Sequence, residues 1–214
     1  MLLQVRVRLA DRPGSLGRVT WLLGALGVDI QQVVVLGRES GRAVDDFTVR
    51  LPGSVSRERM IATLEDVPGV LVDGVWPAAA ALGASSDVAV LGQLAADPER
   101  GLAILVDASP RLFGAHWAAL ASGTGVLHAS VDAPAEVLVP EPVRARAYRS
   151  DDGRHQYAMA PFGVDAGLVL VVARADAPGF HVAEVDRLIE LVNAAQVVLA
   201  DHTAALTSAA HPVS

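Results

Sequence analysis

The amino-acid sequence predicts an α+β protein in two parts, a βαββαβ segment followed by an antiparallel sheet with flanking helices. Apolar residues recur with period two or with spacings of three and four, in turn, through residues 1–77. Gly and Pro mark the junctions between these runs. After a small-residue stretch at 78–86, the pattern becomes helix, paired strands, a mixed segment and a long closing helix.

The elements follow in order. Leu3, Val5, Val7 and Leu9 alternate with Gln4, Arg6 and Arg8, which predicts a strand with one apolar face. A Pro- and Gly-containing loop, Asp11 to Ser15, precedes a helical stripe of Leu16, Val19, Leu23 and Leu26 that Gly27 ends. The β-branched run Val28–Leu36 predicts strand two, with Gly37 to Gly41 as its turn. Strand three has Phe47, Val49 and Leu51 against Asp46, Thr48 and Arg50. Ser56 is placed to cap a second helix with Met60, Ile61 and Leu64 inward; Pro68-Gly69 stops it. Val70, Val72 and Val75 form strand four, ending near Trp76-Pro77. This order is the ferredoxin-like one, which serves many functions and names none.

Composition narrows the functions. The 214 residues carry 17 basic and 24 acidic side chains, a net charge of −7, so no global field favours a nucleic-acid backbone. Cysteine is absent, which excludes disulfides, thiolate catalysis and Cys-based zinc sites. From Leu3 to Arg8 apolar and polar side chains alternate, with no continuous apolar core like that of a signal peptide. The longest apolar run, Ala166–Ala173, is far shorter than the roughly 20 residues a spanning helix needs. The expectation is a cytoplasmic protein with neither nucleic acid nor membrane as partner.

The loop motif is more specific. Asp11-Arg12-Pro13-Gly14-Ser15-Leu16 resembles the D-x-P-G-x-L signature of ACT domains, and Leu26-Gly27-Val28-Asp29-Ile30 resembles that family's lead into its second strand. Val67-Pro68-Gly69-Val70 is similar to its last helix–strand junction. The resemblance spans residues 1–77. It implies an amino acid or similar small effector, held by Asp11, Arg12, Pro13, Gly14, Ser15 and Leu16 with Asp29, Ile30 and Gln31 facing that loop. Helix-start amides would hold a carboxylate, and Asp11 would cap the helix or take a ligand ammonium. It also implies a homodimer with first helices close together. Trp21 lies off the core stripe of its helix, to be covered by a partner helix or, alternatively, by the second half of the same chain. A purely structural turn-and-cap role remains the alternative for the loop. Arg6, Arg8 and Arg50 share a sheet face that either holds an anion or is solvated or covered.

The second half runs from 87 to 204, with a flexible tail at 205–214. Asp87 or Ser86 caps a helix carrying Val88, Leu91 and Leu94, and Asp97-Pro98 starts another lined by Leu102, Leu105 and Val106. Pro110 bends or ends it near Leu112-Phe113-Gly114. Strands Ala115–Ala121 and Val126–Val131 form a hairpin across Ser122-Gly123-Thr124-Gly125. Residues 132–155 are mixed; strands at 156–161 and 167–173 follow, with a turn at 162–165. The last helix shows Val185, Leu188, Ile189, Val192 and Gln196. Over residues 87–203, Leu112 to Leu120 and Gly167 to Val172 with Phe180 to Leu191 resemble a GAF-like domain. That family's ligand pocket corresponds to 132–155, which is short here.

No catalytic constellation emerges. His116, His128, His155, His181, His202 and His211 form no metal-ligand pair, although His116 and His128 could meet across the hairpin. Asp45 and Asp46, adjacent in a strand, point to opposite faces. Ser122 to Gly125 lacks the Lys-Ser/Thr ending of a phosphate loop. The expectation is therefore a regulatory protein rather than an enzyme, without cofactor or metal, sensing a small effector and acting on a partner protein. A dimerisation scaffold without ligand is the alternative. An enzyme with its site near 132–155 is a third reading, for which no motif speaks.

Overall fold

The computed structural model describes residues 1–78, 86–163 and 167–200. The chain is an α+β protein with two antiparallel sheets and, among the described residues, five α-helices. It divides into two compact units, Met1–Ala84 with Asp176–Pro178 and Ser85–Ala175 with Gly179–Ser214. Most of the expected linker at 78–86, part of the turn at 162–165 and the tail at 205–214 lie outside the described residues.

The first unit runs β1 (Leu2–Ala10), α1 (Ser15–Ala25), β2 (Asp29–Glu39), β3 (Arg42–Arg50), α2 (Arg57–Glu65) and β4 (Leu71–Pro77). Its sheet has the order β2-β3-β1-β4. The alternation in β1 decides which face is covered: Leu3, Val5, Val7 and Leu9 are all buried, and Phe47 and Val49 lie across from Val5 and Leu3. Val19 and Leu23 from α1, with Met60 and Leu64 from α2, close this core. Leu16 belongs only to the edge of the α1 stripe and is 36% exposed. Strand two is longer than expected. Gly37 is part of it, at a register shift after Val35, and the turn is Ser40-Gly41.

The second unit begins with α3 (Asp87–Ala96), whose N-cap is Ser86 accepting from the Ala89 amide. The inward residues of α3 are Val90 and Leu94; Val88, expected inside, is exposed. Asp97 caps a single 3-10 turn, Pro98–Arg100, that leads into α4 (Gly101–Leu112) with Leu102, Leu105 and Val106 buried. Pro110 sits in the last turn of α4, and the helix ends two residues later. The strands are β5 (Trp117–Ser122), β6 (Gly125–Ala129), β7 (Arg146–Arg149), β8 (His155–Phe162) and β9 (Leu168–Ala175), in the order β6-β5-β9-β8-β7. Helix α5 (Val182–Val198) starts with a reciprocal cap between His181 and Glu184.

Period two splits this sheet's residues. Ala118, Leu120, Leu170 and Val172 join residues of α3, α4 and α5 in one core. Trp117, Ala119, Met159, Val171 and Ala173 form a separate cluster on the other face. His128 lies across from Leu120, while His116 Nδ1 accepts the Ala175 amide, so the two histidines do not meet across the hairpin.

Candidate functional site

Pro13 and Gly14 occupy the central positions of a turn in which the Arg12 carbonyl accepts the Ser15 amide at 3.2 Å. Gly14 has φ 87° and ψ −9°, which a Pro-Gly type II turn requires at its second central residue. A Cβ there would meet nothing within 4 Å, so conformation rather than space selects glycine. Gly14 is also the N-cap of α1, and no side chain caps the helix. Asp11, an expected cap, instead pairs with Arg38 at 2.7 Å. The Leu16 and Gly17 amides have no backbone acceptor among the described residues.

A groove of about 660 Å³ opens beside this helix start. One wall is the outer edge of α1: Gly14, Gly17, Arg18, Trp21 and Leu22. The other is the end of α2 and the chain beyond it: Thr63, Asp66, Val67 and Pro68. The helices bring opposite partial charges to it, the N-terminus of α1 and the C-terminus of α2. Arg18 and Asp66 reinforce that polarity, and neither has an ion pair among the described residues. Between the charged ends, Trp21, Leu22 and Val67 give an apolar surface, with Trp21 71% exposed. The arrangement suits a small zwitterion with an apolar body.

Of the residues expected to hold the effector, only Gly14 lines this groove; Trp21, Val67 and Pro68, noted in the sequence for other reasons, line it as well. Asp29, Ile30 and Gln31 do not face the loop. Asp29 is across from Arg50, which pairs with Leu2 at the opposite end of the sheet from Ala10 and Arg42. At about 3.3 Å per residue the two ends are roughly 25 Å apart. Gln31 Nε2 donates to Asp29 there, at 2.5 Å. Trp21 was read from the sequence as a covered side chain off the core stripe and not as part of a ligand site, while Gly17 and Arg18 were legible only as members of a second spacing of three and four beginning at Gly14.

The arginines do not make an anion site. Arg6 is buried and doubly bonded to Asp46, both contacts at 2.7 Å, and Arg8 is tied to Asp73 at 2.8 Å. Asp45, next to Asp46, points the other way. It lies across from Val7 and Val35 on the core face, 2% exposed, and its Oδ1 has no hydrogen-bond partner. Burial, and then the nearby Asp46 charge, push the Asp45 carboxyl above the usual carboxylate range. Among the described residues no three His, Asp or Glu side chains gather as a metal-ligand set, and no helix is long and apolar enough to cross a membrane.

No family model matches the chain, and no curated protein matches it. Among solved structures, one described as an unknown protein from Galdieria sulphuraria aligns at 13% identity and a TM-score of 0.33, over 94% of this chain and 92% of that one.

Proposed function

We propose that this chain is a cytoplasmic regulatory protein whose first unit is an ACT-type sensor of an amino acid or similar small effector. The observation that carries the reading is the groove beside Gly14. The effector carboxylate meets the uncapped start of α1 and Arg18; its ammonium meets Asp66 at the end of α2; its side chain lies against Trp21, Leu22 and Val67. A second copy would cover the exposed Trp21 and close the groove, so the working form is a homodimer, read by light scattering as twice the chain mass. The GAF-like second unit serves in dimerisation or in relaying the bound state to a partner protein.

A thermal-shift screen of the twenty amino acids tests this. An effector that binds only the native state adds about 2.7 kcal/mol at a hundredfold excess over Kd. In a unit of this size that raises melting by about 10 °C or more. At least one amino acid should produce such a shift at millimolar concentration. If none does, the sensor reading fails and the ligand-free scaffold takes its place.

A further inference from the structure

The second face of the second unit's sheet is occupied by the chain's own residues 131–145, which contain neither helix nor strand. Val137, Val139 and Val143 pack inward on the cluster of Trp117, Ala119, Met159 and Ala173. Leu138, between two of them, points outward and is 83% exposed. From residue 134 to 145, none makes a backbone–backbone hydrogen bond. Pro134, Pro140 and Pro142 have no N–H to offer one. Beyond residue 133, two side chains from strand β7 tie the segment down. The Tyr148 hydroxyl donates to the Leu138 carbonyl at 3.2 Å, and Arg146 donates to the Pro140 carbonyl at 2.8 Å.

The tyrosine latch is itself held in place. Its ring stacks on Tyr157 at 4.8 Å between centroids, and Tyr157 meets Trp117 edge-on at 6.0 Å. Burial pushes the Tyr148 hydroxyl above its ordinary range, so it stays a donor at any physiological pH. The sheet below is different in kind. β5, β8 and β9 are joined by continuous ladders. An element with apolar contacts and two side-chain ties, lying on an element with full ladders, opens at lower free energy than its support.

We infer that residues 131–145 form a displaceable strap, latched by Tyr148 and Arg146, that keeps an aromatic and aliphatic face of this sheet closed. Exposure of that face therefore requires release of the strap. This does not rest on effector binding in the first unit.

The chain has no cysteine, so a single introduced thiol reports alone. Ala119→Cys puts one in the cluster under the strap, and Ala118→Cys puts one on the opposite, helix-covered face; both positions are fully buried. Each full-length variant is labelled with an aromatic disulfide reagent in native buffer. The thiol at 119 should react at least about tenfold faster than that at 118, since only the former escapes without global unfolding. Adding Tyr148→Phe keeps the ring stack and removes the hydroxyl. It should speed labelling at 119 about fivefold, the factor for one net hydrogen bond, and leave 118 unchanged. Equal rates at the two positions, or a rate at 119 indifferent to Tyr148→Phe, would overturn the inference. Should Ala119→Cys fail to fold by circular dichroism, Ala173→Cys reads the same cluster and carries the same expectations.

Discussion

Replacing Asp46 by alanine is expected to destabilise the first unit by about 3–5 kcal/mol, the cost of removing one member of a buried, doubly bonded ion pair. Arg6 and Asp46 share two 2.7 Å contacts, and both are buried, with Arg6 also 5.7 Å from the centre of the Trp76 ring. The two residues face each other across the β1–β3 ladder, so the pair needs no chain distortion to form. Amide hydrogen exchange of the β1 and β3 peptides measures the effect in the full chain. Asp46→Ala should speed it by a hundredfold or more, using about 1.4 kcal/mol per factor of ten. The double replacement Arg6→Met with Asp46→Leu should recover most of the loss, because an apolar pair of similar volume removes both buried charges. Exchange unchanged in Asp46→Ala would mean that other groups or water satisfy the guanidinium there.

The neighbouring acid is expected to behave in the opposite way. Asp45→Val should stabilise the first unit at pH 7 by about 1–3 kcal/mol, the desolvation cost of a buried group without a hydrogen bond. Valine suits the position, between Val7 and Val35 on the core face of a strand. The gain depends on pH with a defined sign. The Asp45 carboxyl has a higher pKa in the folded chain than in the unfolded one, where the ordinary value is 3.8. Folding therefore favours its protonated form. Its contribution to stability is fully present below the unfolded pKa and is lost as the pH rises through the folded value. The advantage of Asp45→Val over wild type should be largest at neutral pH and shrink on acidification. A variant less stable than wild type at pH 7, or an advantage that grows as pH falls, would show that the carboxylate has a partner in solution.

These two acids show how far the sequence could be read. Alternation alone put Asp45 and Asp46 on opposite faces, and the register agrees. It could not say which acid has a cation, because Arg6 is forty residues away in the chain and becomes a neighbour only through strand pairing. Turns with strict backbone demands were legible, as Pro13-Gly14 shows. Gly37 misled because a bulge and a turn both select glycine, and only the partner strand distinguishes them. Val88 misled because Val88 with Leu91 and Val90 with Leu94 are both acceptable helical spacings. Strand β7 was missed since its Arg-Ala-Tyr-Arg sequence has little apolar character and lies at a sheet edge. The groove was hidden for a related reason. Arg18 and Asp66 sit on helices separated by two strands, and neither belongs to a core stripe.

On the proposed function, the groove beside Gly14 binds a small zwitterion through Arg18. Calorimetric titration of the most stabilising amino acid into wild type and Arg18→Ala tests it most directly. Arg18 is exposed and outside the core, so its removal should leave the fold intact. Wild type should bind one effector per chain. Arg18→Ala should bind at least about tenfold more weakly, the scale of one lost charge-assisted hydrogen bond to a carboxylate. Equal affinity in the two proteins, or no heat of binding from any amino acid, would contradict it.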